Sequence, residues 1–369
     1  MSKYDELLKE LCPNGVKYRK ISEVCDISRG QVMSKDYISQ NTGEYPVYSS
    51  QTENNGELGK INTYMYDGEF LTWTTDGANA GTVFFRQGKF SITNVCGLLR
   101  VNTEDLLIKF LYYTLSIEAP KYVGRGMGNP KLMSNVMGRI KIPVPPIEVQ
   151  REIVKILDNF TELTAELTAE LTARKKQYEY YRLELFNGIK EHSKATLISL
   201  ADIKRGVRVI KKELDSDGKY PVFQNSLTPM GYYNDYNCDA ETTYVISAGA
   251  AGEIGYCRSK FWAADDCLVF RNLKGVINRY IYHYLMTKST YIRSNVRKAS
   301  IPRLSRTVIE NIEIPVPPIE EQERIVSILD RFDSICNDIS AGLPAEIEAR
   351  QKQYEYYRDK LLNFKEMSV

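Results

Sequence analysis

The chain has 369 residues, of which 43% are hydrophobic, so it is long enough for two or three domains with buried cores. No apolar run approaches the ~20 residues of a membrane span, and the charged N-terminus "MSKYDELLKE" is not typical of a signal peptide. We therefore expect a cytoplasmic protein without membrane contact. Seven cysteines without a C-x-x-C pair, and only two histidines, predict reduced thiols and argue against disulfides or a metal centre.

The first half of the chain begins with a charged helical segment, 1–15, and continues as a globular region, 16–146. The segments "EYPVYSS", "FLTWTT", "GTVFF" and "CGLLRV" are short strand candidates separated by turn residues. The segment "TEDLLIKFLYYTLS" (103–116) has helical spacing. Mixed strands and helices of this kind predict an α+β region.

A long helix follows in the segment 147–192. Pro143, Pro145 and Pro146 mark an extended exit from the globular region, because proline cannot continue a helix interior or donate to a sheet. Apolar residues then recur every three or four positions, which predicts one helix from Glu148 to Phe186, roughly 58 Å long at ~1.5 Å per residue. Within it, "TELTAELTAELTA" (161–173) has a period of four, which suits a length adjuster.

The second half, 193–318, and the C-terminal segment, 319–369, repeat this organisation. "IPVPPIEVQREIVKILDNF" (142–160) returns as "IPVPPIEEQERIVSILDRF" (314–332), with 14 of 19 positions identical. "RKKQYEYYR" (174–182) returns as "RQKQYEYYR" (350–358). The second long helix is the expected antiparallel partner of the first. Gly342 and Pro344 are predicted to break it into two helices.

Similarity between the two copies is uneven. Helix positions that we expect to be exposed, such as Lys176, Glu179 and Arg182, are identical to their counterparts, whereas the globular regions share only a skeleton, as in "CDISRG" (25–30) and "ADIKRG" (201–206). Recent duplication alone would leave the globular parts similar too. The pattern indicates that both halves need the same helices and different globular faces.

Basic residues are concentrated in two regions. From Arg271 to Arg306 there are nine lysines and arginines and no acid, and from Ala119 to Ile147 there are five and no acid. Two such patches on a chain with a net charge of +2 predict two contacts with a polyanion. An ordinary solvated surface is the alternative for either patch.

Motifs for catalysis are missing from the sequence. It contains no complete phosphate-binding loop, no G-x-G-x-x-G that opens a helix after a strand, no amino-methylation motif and no nuclease motif. Asp265 and Asp266 form a carboxylate pair, but the other copy has Asn94 and Val95 there, which favours a structural or DNA-facing role. Cys96 and its equivalent Cys267 are expected to be core residues.

Two divergent halves, each followed by "IPVPPIE" and a similar helix, resemble the specificity subunits of type I restriction-modification enzymes. The "TAEL" run (164–171) is similar to the spacer repeats of some members. The resemblance implies an α+β fold with two pseudo-symmetric target-recognition domains, separated by a pair of long antiparallel helices. It also implies that each half reads one part of a split, asymmetric DNA target.

The same resemblance implies a set of partners. They are double-stranded DNA, two methyltransferase subunits carried by the helices, and restriction subunits. Neither catalytic residues nor a cofactor are expected in this chain, because S-adenosylmethionine belongs to the methyltransferase subunits and ATP with Mg to the restriction subunits. By its position, the N-terminal helix (1–15) is expected to pack beside the end of the C-terminal helical segment.

Candidate site residues follow from the polar loops, the basic patches and the repeated helix segment. Glutamine, asparagine and arginine can bind base edges, and lysine and arginine bind phosphates. The DNA-binding candidates are Gln51, Asn54, Asn55, Arg125, Lys131, Gln224, Asn225, Arg293, Arg297, Lys298 and Arg303. The candidates for the methyltransferase interface are Tyr178, Tyr181, Arg182, Tyr354, Tyr357 and Arg358. The alternatives are a scaffold or anti-restriction decoy that binds methyltransferase without reading DNA, and a fused enzyme, which the missing motifs disfavour.

Overall fold

A computed structural model describes residues 3–124, 128–189, 193–338 and 340–367. The chain forms two compact units. Unit 1 comprises Met1–Ala165 and Ala349–Val369, and unit 2 comprises Glu166–Glu348. The long helix Ile147–Asn187 contributes its first half to unit 1 and its second half to unit 2.

Helices and strands are mixed in both units, which confirms the predicted α+β class. The described helices are α1 (Lys3–Leu11), α2 (Ile21–Val24), α3 (Lys35–Gln40), α4 (Ile108–Glu118), α5 (Ser134–Met137), α6 (Ile147–Asn187), α7 (Leu197–Leu200), α8 (Asn278–Thr287), α9 (Ser289–Ser294), α10 (Arg306–Glu310), α11 (Ile319–Asn337) and α12 (Leu343–Leu361). Short 3-10 helices lie at Glu53–Gly56, Ala119–Tyr122 and Lys211–Glu213. Within these described ranges, no helix has both the length and the apolar character needed to cross a membrane.

The described strands of unit 1 form one large sheet and one small one. They are β1 (Lys17–Lys20), β2 (Cys25–Arg29), β3 (Thr42–Tyr48), β4 (Glu57–Ile61), β5 (Tyr66–Thr74), β6 (Val83–Ile92), β7 (Cys96–Val101) and β8 (Lys141–Val144). The large sheet has the order β2-β7-β5-β6-β3-β4, and β1 pairs with β8. Trp73, Leu99 and Phe110 belong to the core that the large sheet, α4 and the start of α6 enclose.

Unit 2 divides its strands among three sheets. The described strands are β9 (Lys194–Thr196), β10 (Asp202–Arg205), β11 (Tyr220–Phe223), β12 (Gly231–Tyr233), β13 (Thr242–Ile246), β14 (Ile254–Cys257), β15 (Trp262–Ala263), β16 (Cys267–Arg271) and β17 (Glu313–Pro315). Their orders are β10-β16-β13-β14, β12-β11-β15 and β17-β9. Val245, Phe270, Tyr280 and Ile325 belong to the core shared by the four-stranded sheet, α8 and α11.

A fully buried glutamine joins each globular region to its long helix. In unit 1, the Gln150 side-chain oxygen accepts from Leu107 N (2.8 Å), and its Nε2 donates to the carbonyl oxygens of Pro145 and Asp105 (both 2.7 Å). Gln322 in unit 2 makes the matching bonds to Ile277 N (2.9 Å), Pro317 O (2.8 Å) and Gly275 O (3.0 Å). The helix predicted from residue 103 begins only at Ile108, because Leu107 N and Asp105 O bind the Gln150 side chain instead of backbone partners in a helix.

The second long helix is interrupted, as Gly342 and Pro344 predicted. It is divided into α11 and α12. In unit 2, Phe332 of α11 stacks on Tyr181 of α6 with ring centroids 5.4 Å apart, and Cys336, one turn later, lies near Lys175. These two helices therefore run antiparallel.

The end of α12 belongs to unit 1 and packs against the N-terminal helix. Tyr4 of α1 donates its hydroxyl to Leu361 O (3.0 Å). Val16 exchanges backbone hydrogen bonds with Lys365 O (2.8 Å) and Met367 N (3.0 Å). The two ends of the chain are thus joined within one unit.

The buried glutamine gives the first prediction. Gln150→Met keeps the side-chain length but leaves one buried and two partly buried backbone groups without this partner, so it should lower the free energy of unfolding by about 2–4 kcal/mol. Urea unfolding of the whole chain measures this. Gln87→Met, at an exposed position of β6, is the matched control. Equal stability of the two variants would contradict the assignment.

Candidate nucleic-acid interface

Each unit has a central strand that ends in a turn, and backbone hydrogen bonds fix this turn to a basic loop. In unit 1, β5 is followed by Thr75, whose carbonyl accepts from Leu132 N (2.9 Å), and Gly77 N donates to Pro130 O (3.0 Å). Unit 2 has the matching bonds Leu304 N to Ser247 O (2.8 Å) and Gly249 N to Pro302 O (3.2 Å). The same loop framework therefore occurs twice.

The two basic loops are segments 124–131 and 297–303, called here basic loop 1 and basic loop 2. Gly124 and Lys131 close the first with reciprocal backbone bonds of 2.9 and 3.2 Å. Arg297 and Arg303 close the second with bonds of 2.8 and 3.2 Å. All four closing bonds join backbone atoms, so they do not depend on the side chains of Lys131, Arg297 and Arg303.

A third loop in each unit lies against the same turn. In unit 1 this loop follows β3, and Asn79 Nδ2 of the turn donates to its Thr52 hydroxyl oxygen (2.9 Å). In unit 2 it follows β11, and Ala250 N donates to Asn225 O (2.9 Å). Gly249 has a φ of +81°, and a Cβ there would lie 2.8 Å from Asn225, so only glycine fits this approach. Three loops thus meet at one end of each globular region.

The structure brings most DNA-binding candidates to these loops. Lys131, Arg297, Lys298 and Arg303 are exposed on the basic loops, and Arg293 is exposed on α9. Arg125 lies outside the described residues. Among the described residues, Arg293, Arg297, Lys298 and Arg303 have no carboxylate within ion-pair distance, so their charges are available to a polyanion.

The side-chain amides of the loops differ in exposure and in hydrogen bonding. Asn54 and Asn55 are exposed and adopt left-handed backbone angles, with φ of 49° and 54°. Asn225 is also exposed, whereas Gln224 is half-buried and its carbonyl accepts from the Cys267 thiol at 3.4 Å. Gln51 lies in the same loop as the two asparagines, and its side-chain amide donates to the Glu57 carbonyl. That bond ties Gln51 to the loop itself.

The candidates for the methyltransferase interface fall into buried and exposed groups. Tyr178 is 3% exposed and stacks on Phe332, and the Arg182 guanidinium lies over its ring and is 8% exposed. Burial raises the pKa of the Tyr178 hydroxyl well above its usual range. These two side chains mainly hold α6 onto unit 2 and offer little surface to a partner.

Unit 1 repeats this packing. Tyr354 is half-buried, Arg358 donates to its neighbour Asp359, and Tyr357 stacks on Phe160 with centroids 5.5 Å apart. Each repeated segment also presents two exposed tyrosines, which are Tyr180 (59%) and Tyr181 (40%) in unit 2 and Tyr356 (63%) and Tyr357 (37%) in unit 1. Sequence reasoning missed Tyr180 and Tyr356, although both stand in the repeated "QYEYYR" segment.

Side chains suited to metal binding or thiol chemistry are not assembled in the described ranges. No group of three or more histidine, cysteine and acidic residues within those ranges is placed to hold a metal ion. Cys96 and Cys267 are buried, as predicted, and burial raises the pKa of the Cys96 thiol to about 12. Such a thiol is inert at neutral pH.

Comparison with known proteins identifies the family. The model of the type I restriction modification DNA specificity domain matches residues 13–174 and 190–349. A putative type I specificity subunit from Mycoplasma pneumoniae is 34% identical over 362 residues, covering 95% of this chain and 98% of that protein. The chain belongs to the family of type I specificity subunits.

Two other specificity subunits are similar to this chain, one over part of its sequence and the other in its fold. The specificity subunit of the M. pneumoniae type I restriction enzyme MpnII is 44% identical over 182 residues, which are 48% of this chain and 55% of that subunit. The crystal structure of a type I restriction-modification S subunit from M. genitalium has a TM-score of 0.70 at 18% identity, over 94% of this chain and 96% of that one. The fold of this specificity subunit, with two target-recognition domains, is thereby established.

Basic loop 2 of this specificity subunit gives the second prediction. Replacing Arg297 and Arg303 by alanine keeps the backbone closure but removes two cations. In complex with methyltransferase, DNA binding should weaken, and the slope of log affinity against log salt should fall by about two, one for each lost phosphate contact. A salt titration of DNA affinity measures both.

The control variant removes the same number of positive charges at another place in unit 2. Lys194 and Lys274 are exposed lysines of unit 2. Lys194 lies in β9, which pairs with β17 just before α11, and Lys274 precedes Gly275, whose carbonyl accepts from Gln322 of α11. The Lys194→Ala, Lys274→Ala double variant should keep the wild-type slope. An unchanged slope in the loop variant, or an equal loss in both, contradicts the assignment of basic loop 2.

Proposed function

We propose that the two target-recognition domains read two different parts of one split, asymmetric sequence in double-stranded DNA. One observation carries this proposal. Backbone hydrogen bonds in the same pattern fix the two basic loops to the turn after the central strand, and an amide loop lies against that turn in each unit, while the side chains on these loops differ between the units. A common framework with different side chains suits a common task on two different sequences.

The chemistry of the loops fits reading of duplex DNA. Unpaired arginines and lysines on the basic loops would contact phosphates and set the register of each domain. Exposed asparagines such as Asn54, Asn55 and Asn225 are suited to the paired donor and acceptor of adenine in the major groove. Because both kinds of side chain lie at one end of each domain, phosphate and base contacts could form together.

The long helices are proposed to dock two methyltransferase subunits. Tyr180 and Tyr181 in unit 2 form an exposed edge-to-face pair with centroids 5.6 Å apart and an interplanar angle of 71°. Tyr356 and Tyr357 in unit 1 form the same pair at 5.4 Å and 76°. Exposed tyrosines of this kind are typical anchors of protein interfaces. Two equal anchors suit two identical partners.

Cofactors and catalysis are assigned to the partners in this proposal. The methyltransferase subunits would bind S-adenosylmethionine, and the restriction subunits would bind ATP and Mg. This chain would supply DNA reading and assembly without a catalytic residue of its own. The purified chain should therefore neither methylate nor cleave DNA, and activity in a preparation free of partners would refute this assignment.

A scaffold or anti-restriction decoy that binds methyltransferase without reading DNA is the second candidate. The repeated tyrosine pairs alone would fit it, whereas the exposed Lys131 of basic loop 1 and the unpaired cations of basic loop 2 favour a DNA reader. Selection of binding sites from random duplexes by the chain with its methyltransferase separates the two. A reader enriches one two-part sequence, and a decoy enriches none.

The tyrosine pairs give the third prediction. Tyr180→Ala should remove one methyltransferase from the complex, and Tyr356→Ala should remove the other, with a loss of affinity at each site of at least about tenfold. Native mass measurement at excess methyltransferase counts the bound subunits. Tyr37→Ala, at a tyrosine 44% exposed on α3, is the control. Two bound subunits in the Tyr180→Ala, Tyr356→Ala double variant would contradict the proposed surface.

The four-residue run gives the fourth prediction. The boundary between the units, Ala165 to Glu166, falls inside it. Adding one "TAEL" after Leu167 lengthens α6 by about 6 Å and turns its end by about 40°. DNA turns by about 34° per base pair, so the unspecified spacer between the two parts of the target should change by one base pair. Mapping of methylated sites measures the spacer.

The two recognised parts serve as the internal control for this insertion. Neither should change, because the recognition loops are untouched. If either recognised part of the target changes, or if the spacer stays the same in a fully active variant, the four-residue run does not set the spacer length. Circular dichroism of the variant confirms that the helix is retained.

A further inference from the structure

Unit 1 contains a buried arginine that sequence reasoning passed over. Arg86 lies in β6 and is 3% exposed. Its guanidinium carbon lies 3.6 Å from the ring centroid of Tyr48 and 4.4 Å from that of Phe84, so two aromatic rings enclose it. Its Nε donates to the Thr72 hydroxyl at 3.1 Å.

The charge of Arg86 is not neutralised by an acid. Among the described residues no carboxylate lies within ion-pair distance, and its Nη1 is buried without a hydrogen-bond partner there. Burial lowers the pKa of the guanidinium, but arginine remains protonated in proteins. An unpaired buried cation is costly. Contacts with two aromatic faces recover part of that cost.

The remaining donor of Arg86 reaches the recognition loop. Nη2 donates to the backbone carbonyl of Asn55 at 2.8 Å. Asn54 and Asn55 both have left-handed backbone angles, which asparagine adopts more readily than most residues but which are still uncommon for two consecutive residues other than glycine. Gly56 follows with a φ of +79°, and a Cβ there would lie 3.0 Å from Arg86 Nη2. The loop therefore packs closely on the guanidinium. The hydrogen bond to the Asn55 carbonyl holds the turn in its left-handed conformation.

We infer that Arg86 is a positioning residue for DNA reading: its buried guanidinium holds the Asn54–Asn55 turn in the conformation that presents both side-chain amides to base edges. This inference rests on the proposed function, because it assigns a task to a loop of the proposed reading surface. Arg86 would not touch DNA itself. It would determine how sharply one part of the target is read, by fixing in advance the geometry that bidentate amide contacts require.

Unit 2 lacks this device. Aligning "GTVFFR" (81–86) with "GEIGYC" (252–257) places Cys257 at the position of Arg86. Cys257 is buried at the end of β14 and its thiol lies 3.6 Å from the Ser259 hydroxyl. Because the cation occurs in unit 1 alone, its loss should affect only one of the two recognised parts.

The experiment is binding-site selection from random duplexes by the complex of the full chain with methyltransferase. Arg86→Met should loosen base preference in one part of the target by about tenfold, the scale of a lost charged hydrogen bond, and leave the other part unchanged. Asn54→Ala with Asn55→Ala should loosen the same part. Arg86→Lys should restore the preference incompletely, since lysine cannot keep both the Thr72 and Asn55 contacts. Cys257→Ser, at the matching site of unit 2, should change neither part.

The outcomes separate the inference from the proposed function. If the wild-type complex selects no two-part sequence, the proposed function fails. If the wild type selects one and Arg86→Met keeps both parts sharp, or loosens both equally, the inference is overturned. Should Arg86→Met lose its fold, Gly56→Ala tests the same contact, because its Cβ would press on Nη2 and on Gln51 O at 3.2 Å. It should loosen the same part as the asparagine variant, and an unchanged preference would contradict the inference.

Discussion

A buried glutamine at the start of each long helix is the constraint on which the rest of the molecule depends. Gln150 and Gln322 are fully buried, and each binds three backbone groups, one of them the amide that precedes the helix packed on the sheet. Few side chains have an acceptor and a two-proton donor at this length, so the segment around each glutamine tolerates little change. The presence of glutamine at this position of both "IPVPPIEVQ" and "IPVPPIEEQ" follows from this requirement.

The basic loops are constrained in a different way. Backbone bonds close both basic loops and fix them to the turn after the central strand, so the framework persists whichever side chains the loops carry. Lys131 and Arg303 occupy matching positions, each after a proline, whereas the Arg86 that binds the Asn55 carbonyl in unit 1 has a cysteine, Cys257, at its aligned position in unit 2. The backbone framework can thus stay the same while the side chains on the loops diverge.

The repeat, the α+β class and the break at Gly342 were predictable, because periodicity, proline and glycine act locally along the chain. The burial of individual helix residues could not be predicted from the sequence. Tyr178 and Tyr180 stand in the same "QYEYYR" segment, yet one packs on Phe332 and the other faces outward, which only the register of α6 against α11 decides. The burial of Arg86 was equally unpredictable, since an arginine next to a glutamine in a strand is ordinarily exposed, and only the fold places two aromatic rings beside it.

The central claim is that one chain joins two different DNA-reading surfaces on two equivalent helical supports. Sequencing of methylated adenines in genomic DNA, from cells with the gene and from cells in which it is deleted, tests this most directly. The account predicts one methylated motif, made of two unlike specified parts separated by a fixed number of unspecified base pairs, that disappears on deletion. A continuous motif, two motifs that occur independently of each other, or a methylation pattern unchanged by the deletion would contradict it.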